Sequence, residues 1–134
     1  MPANGDRKIK VLVTDDDNAV QALLKEFLTR EGYEVLQAGS GMECIEIAKE
    51  QTPDLILLDV IMPEMGGGMA AHRLSENILT RNIPIIFLTS MISKEQEMVV
   101  DNEDGSYLFL SKPIEVDKLL KEMDKALSGN TSDA

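Results

Sequence analysis

The chain has 134 residues, with 24 acidic against 13 basic side chains and a formal net charge of −11. That length suits one compact domain and leaves no room for a second folded module. A surface this acidic, with Lys and Arg scattered along the chain, argues against direct nucleic-acid binding and against adsorption to anionic lipid.

A hydrophobic content of 43% with 28% charged residues fits a folded protein better than a disordered acidic one. Cys44 is the only cysteine, which excludes an intrachain disulfide and points to a reducing cytoplasmic setting. The amino terminus, MPANGDRKIK, lacks the apolar core of a secretory signal, and no apolar run approaches the roughly 18 residues that would insert across a membrane.

In chain order, a disordered polar tail is expected over 1–7, followed by a first strand at Ile9 to Thr14 (IKVLVT). Val20, Leu23, Leu24, Phe27 and Leu28 then repeat with the spacing of one buried helix face, and Gly32 stands where a left-handed residue stops the helix. A second strand at Glu34 to Ala38 leads to a helix at about 41–50, where Cys44 packs with Ile45, Ile47 and Ala48. A third strand at Asp54 to Leu58 precedes a helix at about 68–79, and a fourth at Pro84 to Leu88 precedes a weaker, mostly polar helix at about 93–103. A fifth strand at Tyr107 to Leu110 leads to a last helix with Val116, Leu119, Leu120, Met123 and Leu127 on its inner face, and a second disordered tail is expected at 129–134.

Five strand-then-helix units in series, with near-continuous apolar runs in the third and fourth strands, predict an α/β fold. It is a three-layer α/β/α arrangement, a doubly wound parallel sheet with right-handed crossovers. In such sheets the site lies outside the carboxyl ends of the strands.

The first strand runs into Asp15, Asp16 and Asp17 with no glycine nearby, which is a poor phosphate cradle and demotes nucleotide and flavin binding. The third strand ends at Asp59 and brings a fourth carboxylate beside them. Unit charges about 4 Å apart at an effective dielectric near 20 repel by roughly 4 kcal/mol, so the cluster either binds a cation or holds a proton; Mg²⁺ is the economical occupant. The fourth strand delivers Thr89 and Ser90, and the fifth delivers Ser111 and Lys112 followed by Pro113. A hydroxyl and an ammonium there are the donors that neutralise phosphoryl oxygens.

The segments VTDDD at 13–17, LLDVIMPEM at 57–65, LTS at 88–90 and GSYLFLSKP at 105–113 together resemble the receiver domain of two-component response regulators, over about residues 8–128. The resemblance implies a flavodoxin-like (βα)5 sheet of strand order 2-1-3-4-5. It implies that Asp59 accepts a phosphoryl group from a sensor histidine kinase or histidine phosphotransferase. Asp15, Asp16, Asp59 and the backbone carbonyl of Ile61 would hold Mg²⁺, with Asp15 acting largely through water. Thr89 and Lys112 would hold phosphoryl oxygens, Lys112–Pro113 would be cis, and Phe109 would be the switch aromatic. With no output domain after Leu127, the signal is expected to leave by binding an unnamed downstream target protein; homodimerisation, common among relatives with output domains, stays open.

Departures from the family pattern carry their own expectations. Gly66, Gly67 and Gly68 replace the usual Asp-Gly or Asn-Gly and are expected to loosen the loop after Asp59. Ser90 replaces the commoner Ala, and Phe109 lacks a Tyr hydroxyl. Apolar Ile61 and Met91 are expected to exclude the hydrolytic water and prolong the phosphoryl state. Two competing readings stand beside this one: an aspartyl-nucleophile phosphatase using Asp15 and Asp17, and a degenerate receiver that binds partners without phosphorylation. Asp17 reads better as a helix cap, and His72 as an ordinary exposed side chain.

Overall fold

The computed structural model describes residues 7–102 and 105–128. The tails expected at 1–7 and 129–134 fall outside these residues except for Arg7, whose guanidinium pairs with Asp54. The strands are β1 (Lys10–Thr14), β2 (Glu34–Ala38), β3 (Leu55–Asp59), β4 (Ile85–Thr89), β5 (Met98–Asn102) and β6 (Gly105–Ser111). The helices are α1 (Asn18–Arg30), α2 (Gly41–Gln51), α3 (Gly67–Ser75) and α4 (Val116–Ser128), with a single 3₁₀ turn at Lys94–Gln96.

The sheet order is β2-β1-β3-β4-β6-β5. Its first five members are parallel and reproduce the expected 2-1-3-4-5 order, with β6 as the fifth parallel strand. β3 and β4 are buried at every position, which is why their sequences read as unbroken apolar runs rather than alternating ones. One apolar layer lies on each side. Leu12, Ile56, Leu58, Phe87 and Tyr107 face α2 and α3, while Val11, Leu55, Leu57, Leu88 and Leu110 face α1 and α4 and pack with Leu24 and Leu28 of α1 and Leu119 and Met123 of α4.

Helix ends follow local chemistry. The Asp17 side chain caps α1, and the Ser40 side chain caps α2 through the Glu43 N–H. Gly32, at φ 99°, turns the chain after α1 as its position predicts. Within α1, Leu24 and Leu28 are fully buried and Val20 and Phe27 are partly so, whereas Leu23 is half exposed, so the buried stripe is narrower than its sequence suggests. α3 stops at Ser75, short of the expected end: Asn77 Oδ1 accepts from the Leu79 N–H, and the Thr80 hydroxyl donates to the Leu74 carbonyl, replacing helical bonds with a turn.

The polar helix expected at about 93–103 does not form. After the 3₁₀ turn the chain becomes β5, an edge strand antiparallel to β6 in continuous register from Met98↔Phe109 to Asn102↔Gly105. Met98, Val99 and Val100 are adjacent rather than spaced at i, i+3, i+4, so a helix would bury only part of them. Two neighbouring valines favour a strand, and the Asn-Glu-Asp-Gly stretch that follows is a hairpin signal. Met98, within the span of that expected helix, therefore sits on a strand.

Leu57 is fully buried between β1 and β4. Leu57→Ala should destabilise the fold by about 2–5 kcal/mol, read as a lower urea midpoint at unchanged m value; a loss under 1 kcal/mol, roughly the surface range, would contradict the packing.

Candidate functional site

The parallel strands end nearly flush, with Thr14 opposite Leu58, Asp59 opposite Leu88 and Thr89 opposite Ser111. The residues immediately beyond therefore share one edge. Asp15 is 2% exposed and Asp59 6%, while Asp16 stands at the surface. One carboxylate oxygen from each of Asp15, Asp16 and Asp59 lies within 4.8 Å of the other two. Lys112 reaches across β4 to join them: its Nζ donates to Asp15 Oδ2 at 2.7 Å and to Asp59 Oδ1 at 3.4 Å.

Asp17 does not join. Its Oδ1 accepts from the N–H groups of Ala19 at 2.8 Å and Val20 at 3.3 Å, while its own N–H donates to Asp15 Oδ1 at 2.9 Å. The helix cap thus also orients the neighbouring buried carboxylate.

Three carboxylates face one ammonium, so the pocket keeps two surplus negative charges. Burial, and then the charge of Asp15, raise the Asp59 carboxyl above its ordinary value; Lys112 opposes this but lies nearer Asp15. Burial tends to lower the Lys112 ammonium, but the hydrogen bond and charge of Asp15, with those of Asp59, outweigh it and hold the group above its ordinary value. An all-oxygen donor set with a double negative surplus matches a hard divalent cation such as Mg²⁺. Ile61, whose carbonyl is the expected fourth ligand, follows Asp59 by two residues on a half-exposed segment.

Thr89 is buried at the end of β4, where its Oγ1 accepts from the Met91 N–H at 3.0 Å and its carbonyl accepts from the Lys112 N–H at 2.8 Å. The Lys112–Pro113 peptide is cis. Phe109 is half-buried, with its ring stacked on Phe87 at 4.6 Å and 12°.

The triple glycine lies at the start of α3, with Gly66 at the N-cap and Gly67 and Gly68 in the first turn. A Cβ on Gly67 would lie 2.3 Å from the Asp59 carbonyl oxygen, so the start of α3 packs against the backbone of the central acid only because this residue has no side chain. Gly68 has open space around it.

Gln21 was not singled out by sequence. Its side-chain amide N–H groups reach the carbonyls of Val13 (3.1 Å), Asp15 (3.0 Å) and Ala38 (2.7 Å), binding the ends of β1 and β2 together beneath the acidic loop. Its signal was a polar residue at i, i+3, i+7 with Leu24 and Leu28, on the buried stripe of α1. His72 stays outside the site, exposed and 3.3 Å from Glu76, the residue that caps the end of its helix. Cys44 is buried in the core, and burial pushes its thiol up to about 11. Among the described residues no helix is long and apolar enough to cross a membrane.

The response regulator receiver domain model matches residues 11–124. The chain is 30% identical over 120 residues to protein PilH of Pseudomonas aeruginosa, covering 90% of this chain and 98% of that one. It is also 30% identical over 117 residues to the polar-differentiation response regulator DivK of Brucella ovis, covering 87% and 94%. Among solved structures, Vibrio cholerae chemotaxis protein CheY4 superposes with a TM-score of 0.77 at 28% identity, covering 90% of this chain and all of that one.

Two predictions concern the site's construction. Because the folded state raises the Asp59 pKa, ionising this group opposes folding: the cost is absent below about 3.8, where the group is protonated in both states, grows as pH rises above that, and is complete above the folded-state value. Asp59→Asn should therefore raise the metal-free urea midpoint at pH 7, with the gain vanishing in acid; an unchanged midpoint at pH 7 would contradict the buried repulsion. Gly68→Ala should stabilise by about 0.4–1 kcal/mol, whereas Gly67→Ala should destabilise and shift the Asp59 amide resonance. Equal effects of the two would remove the close-approach argument.

Proposed function

Because the chain belongs to the response regulator receiver domain family, we propose that it is a phosphorylation-controlled binding module, spanning residues 8–128, with Asp59 as phosphoacceptor. The observation that carries this reading is the Asp59 carboxylate, buried at the end of β3 between two further acids and the Lys112 ammonium. The donor is the phosphohistidine of a sensor histidine kinase or a histidine phosphotransferase. An Asp59 oxygen forms the new bond to phosphorus as the P–N bond breaks, and the imidazole nitrogen leaves with the electron pair. Asp15, Asp16, Asp59 and the Ile61 carbonyl would hold Mg²⁺, which when bound supplies positive charge against the phosphoryl oxygens.

The chain's own groups do the rest. Lys112 offers its ammonium to a phosphoryl oxygen, and the Thr89 hydroxyl, which accepts from Met91, keeps its proton free to donate to another. The protein signals rather than turning over a separate substrate. Thr89 and Phe87 lie on the same face of β4, so movement of the hydroxyl toward a phosphoryl group passes to the ring that stacks on Phe109. The two states then differ in which contacts Thr89 and Lys112 make, and a downstream target selects between them. The phosphatase reading fits less well, because its second carboxylate, Asp17, is committed to capping α1.

With acetyl phosphate and Mg²⁺, the wild type should gain one phosphoryl group by intact mass and Asp59→Asn none. Thr89→Ala and Lys112→Ala should slow the gain by about 10²-fold. An adduct persisting in Asp59→Asn would falsify the assignment. Ile61 and Met91, two residues after Asp59 and Thr89 respectively, are 58% and 68% exposed. Replacing them with Asn and Glu respectively should speed loss of the phosphoryl group; slower loss from either variant would overturn their role as a water shield.

A further inference from the structure

The short segment between β4 and β5 grips the loop that carries Lys112 from both sides. Glu97, just ahead of β5, has only 6% of its side chain exposed. Its Oε2 accepts from the Ser111 N–H and from the Ser111 hydroxyl, both at 2.8 Å. Its Oε1 lies 2.6 Å from Lys118 Nζ on the first turn of α4. Two residues beyond Ser111, the Pro113 carbonyl accepts from Lys94 Nζ at 2.7 Å.

The placement has a simple cause. Along β6, backbone groups point alternately to the two neighbouring strands. The Lys112 N–H points toward β4, where it meets the Thr89 carbonyl, so the Ser111 N–H points toward β5. The β5 ladder ends at Met98↔Phe109, two residues short of Ser111, and so supplies no backbone acceptor for it. The Glu97 carboxylate fills that place and also takes up the hydroxyl of the same residue. Burial tends to raise this carboxyl, but the bonds from Lys118 and Ser111 outweigh it and hold it at about 2, so the acceptor is ionised at neutral pH.

We infer that Glu97 is a positioning residue for Lys112: by clamping Ser111, it fixes the strand end from which the ammonium reaches Asp15 and Asp59, and it couples the edge hairpin to the phosphoacceptor site. Glu97 touches none of the reacting atoms; it acts through one peptide unit. The inference rests on the phosphoacceptor reading of Asp59. In the reverse direction, a phosphoryl group that draws Lys112 forward pulls on Ser111 and loads the clamp, which makes β5 the element that feels the state of the pocket.

The test is the rate of phosphorylation by acetyl phosphate with Mg²⁺, together with urea stability, for the wild type, Glu97→Gln, Glu97→Asp, Ser111→Ala and Lys118→Met. Glu97→Gln removes the charge at constant shape and should lower the rate about tenfold, with Glu97→Asp recovering part of it and Ser111→Ala giving a smaller loss. Lys118→Met weakens the same ion pair but leaves both Ser111 bonds, so it should lose stability while keeping the wild-type rate within about twofold. A wild-type rate in folded Glu97→Gln, or rates that simply follow stability across the set, would overturn the inference while leaving Asp59 as phosphoacceptor. If Glu97→Gln does not fold, an unaltered rate in Ser111→Ala overturns it instead. Absence of any adduct on the wild type overturns the phosphoacceptor reading and this one with it.

Discussion

Two carboxylates buried side by side at the end of a parallel sheet repel each other in a place where water screens them only in part, and the surrounding structure answers that repulsion. Asp15 and Asp59 are held there by β1 and β3, whose apolar residues are almost wholly out of solvent. Lys112 answers part of the charge from two strands away, and the remainder is what a divalent cation would complete. Gln21 secures the backbone under Asp15, and the missing side chain of Gly67 lets α3 close against Asp59.

The same constraint links the site to the far edge of the sheet. The strand end that carries Lys112 lacks a backbone partner on its outer side because β5 stops short of it. Glu97 and Lys94 supply the missing contacts through side chains. The edge hairpin is therefore tied to the chemistry by charged hydrogen bonds rather than by apolar packing alone. Such ties are directional, and shifts too small to disturb a hydrophobic contact alter them. Beside them the Phe87–Phe109 stack offers a second, apolar connection between β4 and the same edge.

Much of this was legible in the sequence, for identifiable reasons. The buried strands announce themselves because LILL and IIFL have no polar face to show, and α1 and α4 because their apolar residues recur at helical spacing. The acids, Thr89 and Lys112 could be placed together because each directly follows or ends a strand, and parallel strands end on the same side. What escaped were decisions between near-equal local preferences. Residues 93–103 are polar enough for a surface helix, and the competing hairpin won through Val99, Val100 and pairing with β6. Leu23 looked buried by period alone but falls just outside the stripe that meets the sheet.

The sequence by itself determined the alternation of strands and helices, the parallel sheet and the gathering of Asp15, Asp16, Asp59, Thr89 and Lys112 at one end. These follow from periodicity and from residue order along the chain, both local quantities. Only the tertiary structure decided that Asp17 turns away to its helix, that Gly67 is a packing requirement, and that an edge strand replaces a helix beside β6. It alone brought Glu97 to Ser111, fourteen positions apart, because which donors remain unpaired at a sheet edge depends on where the neighbouring strand stops. The net charge of −11 is a property of composition, but the two surplus charges that matter at the pocket exist only once the strands lie side by side.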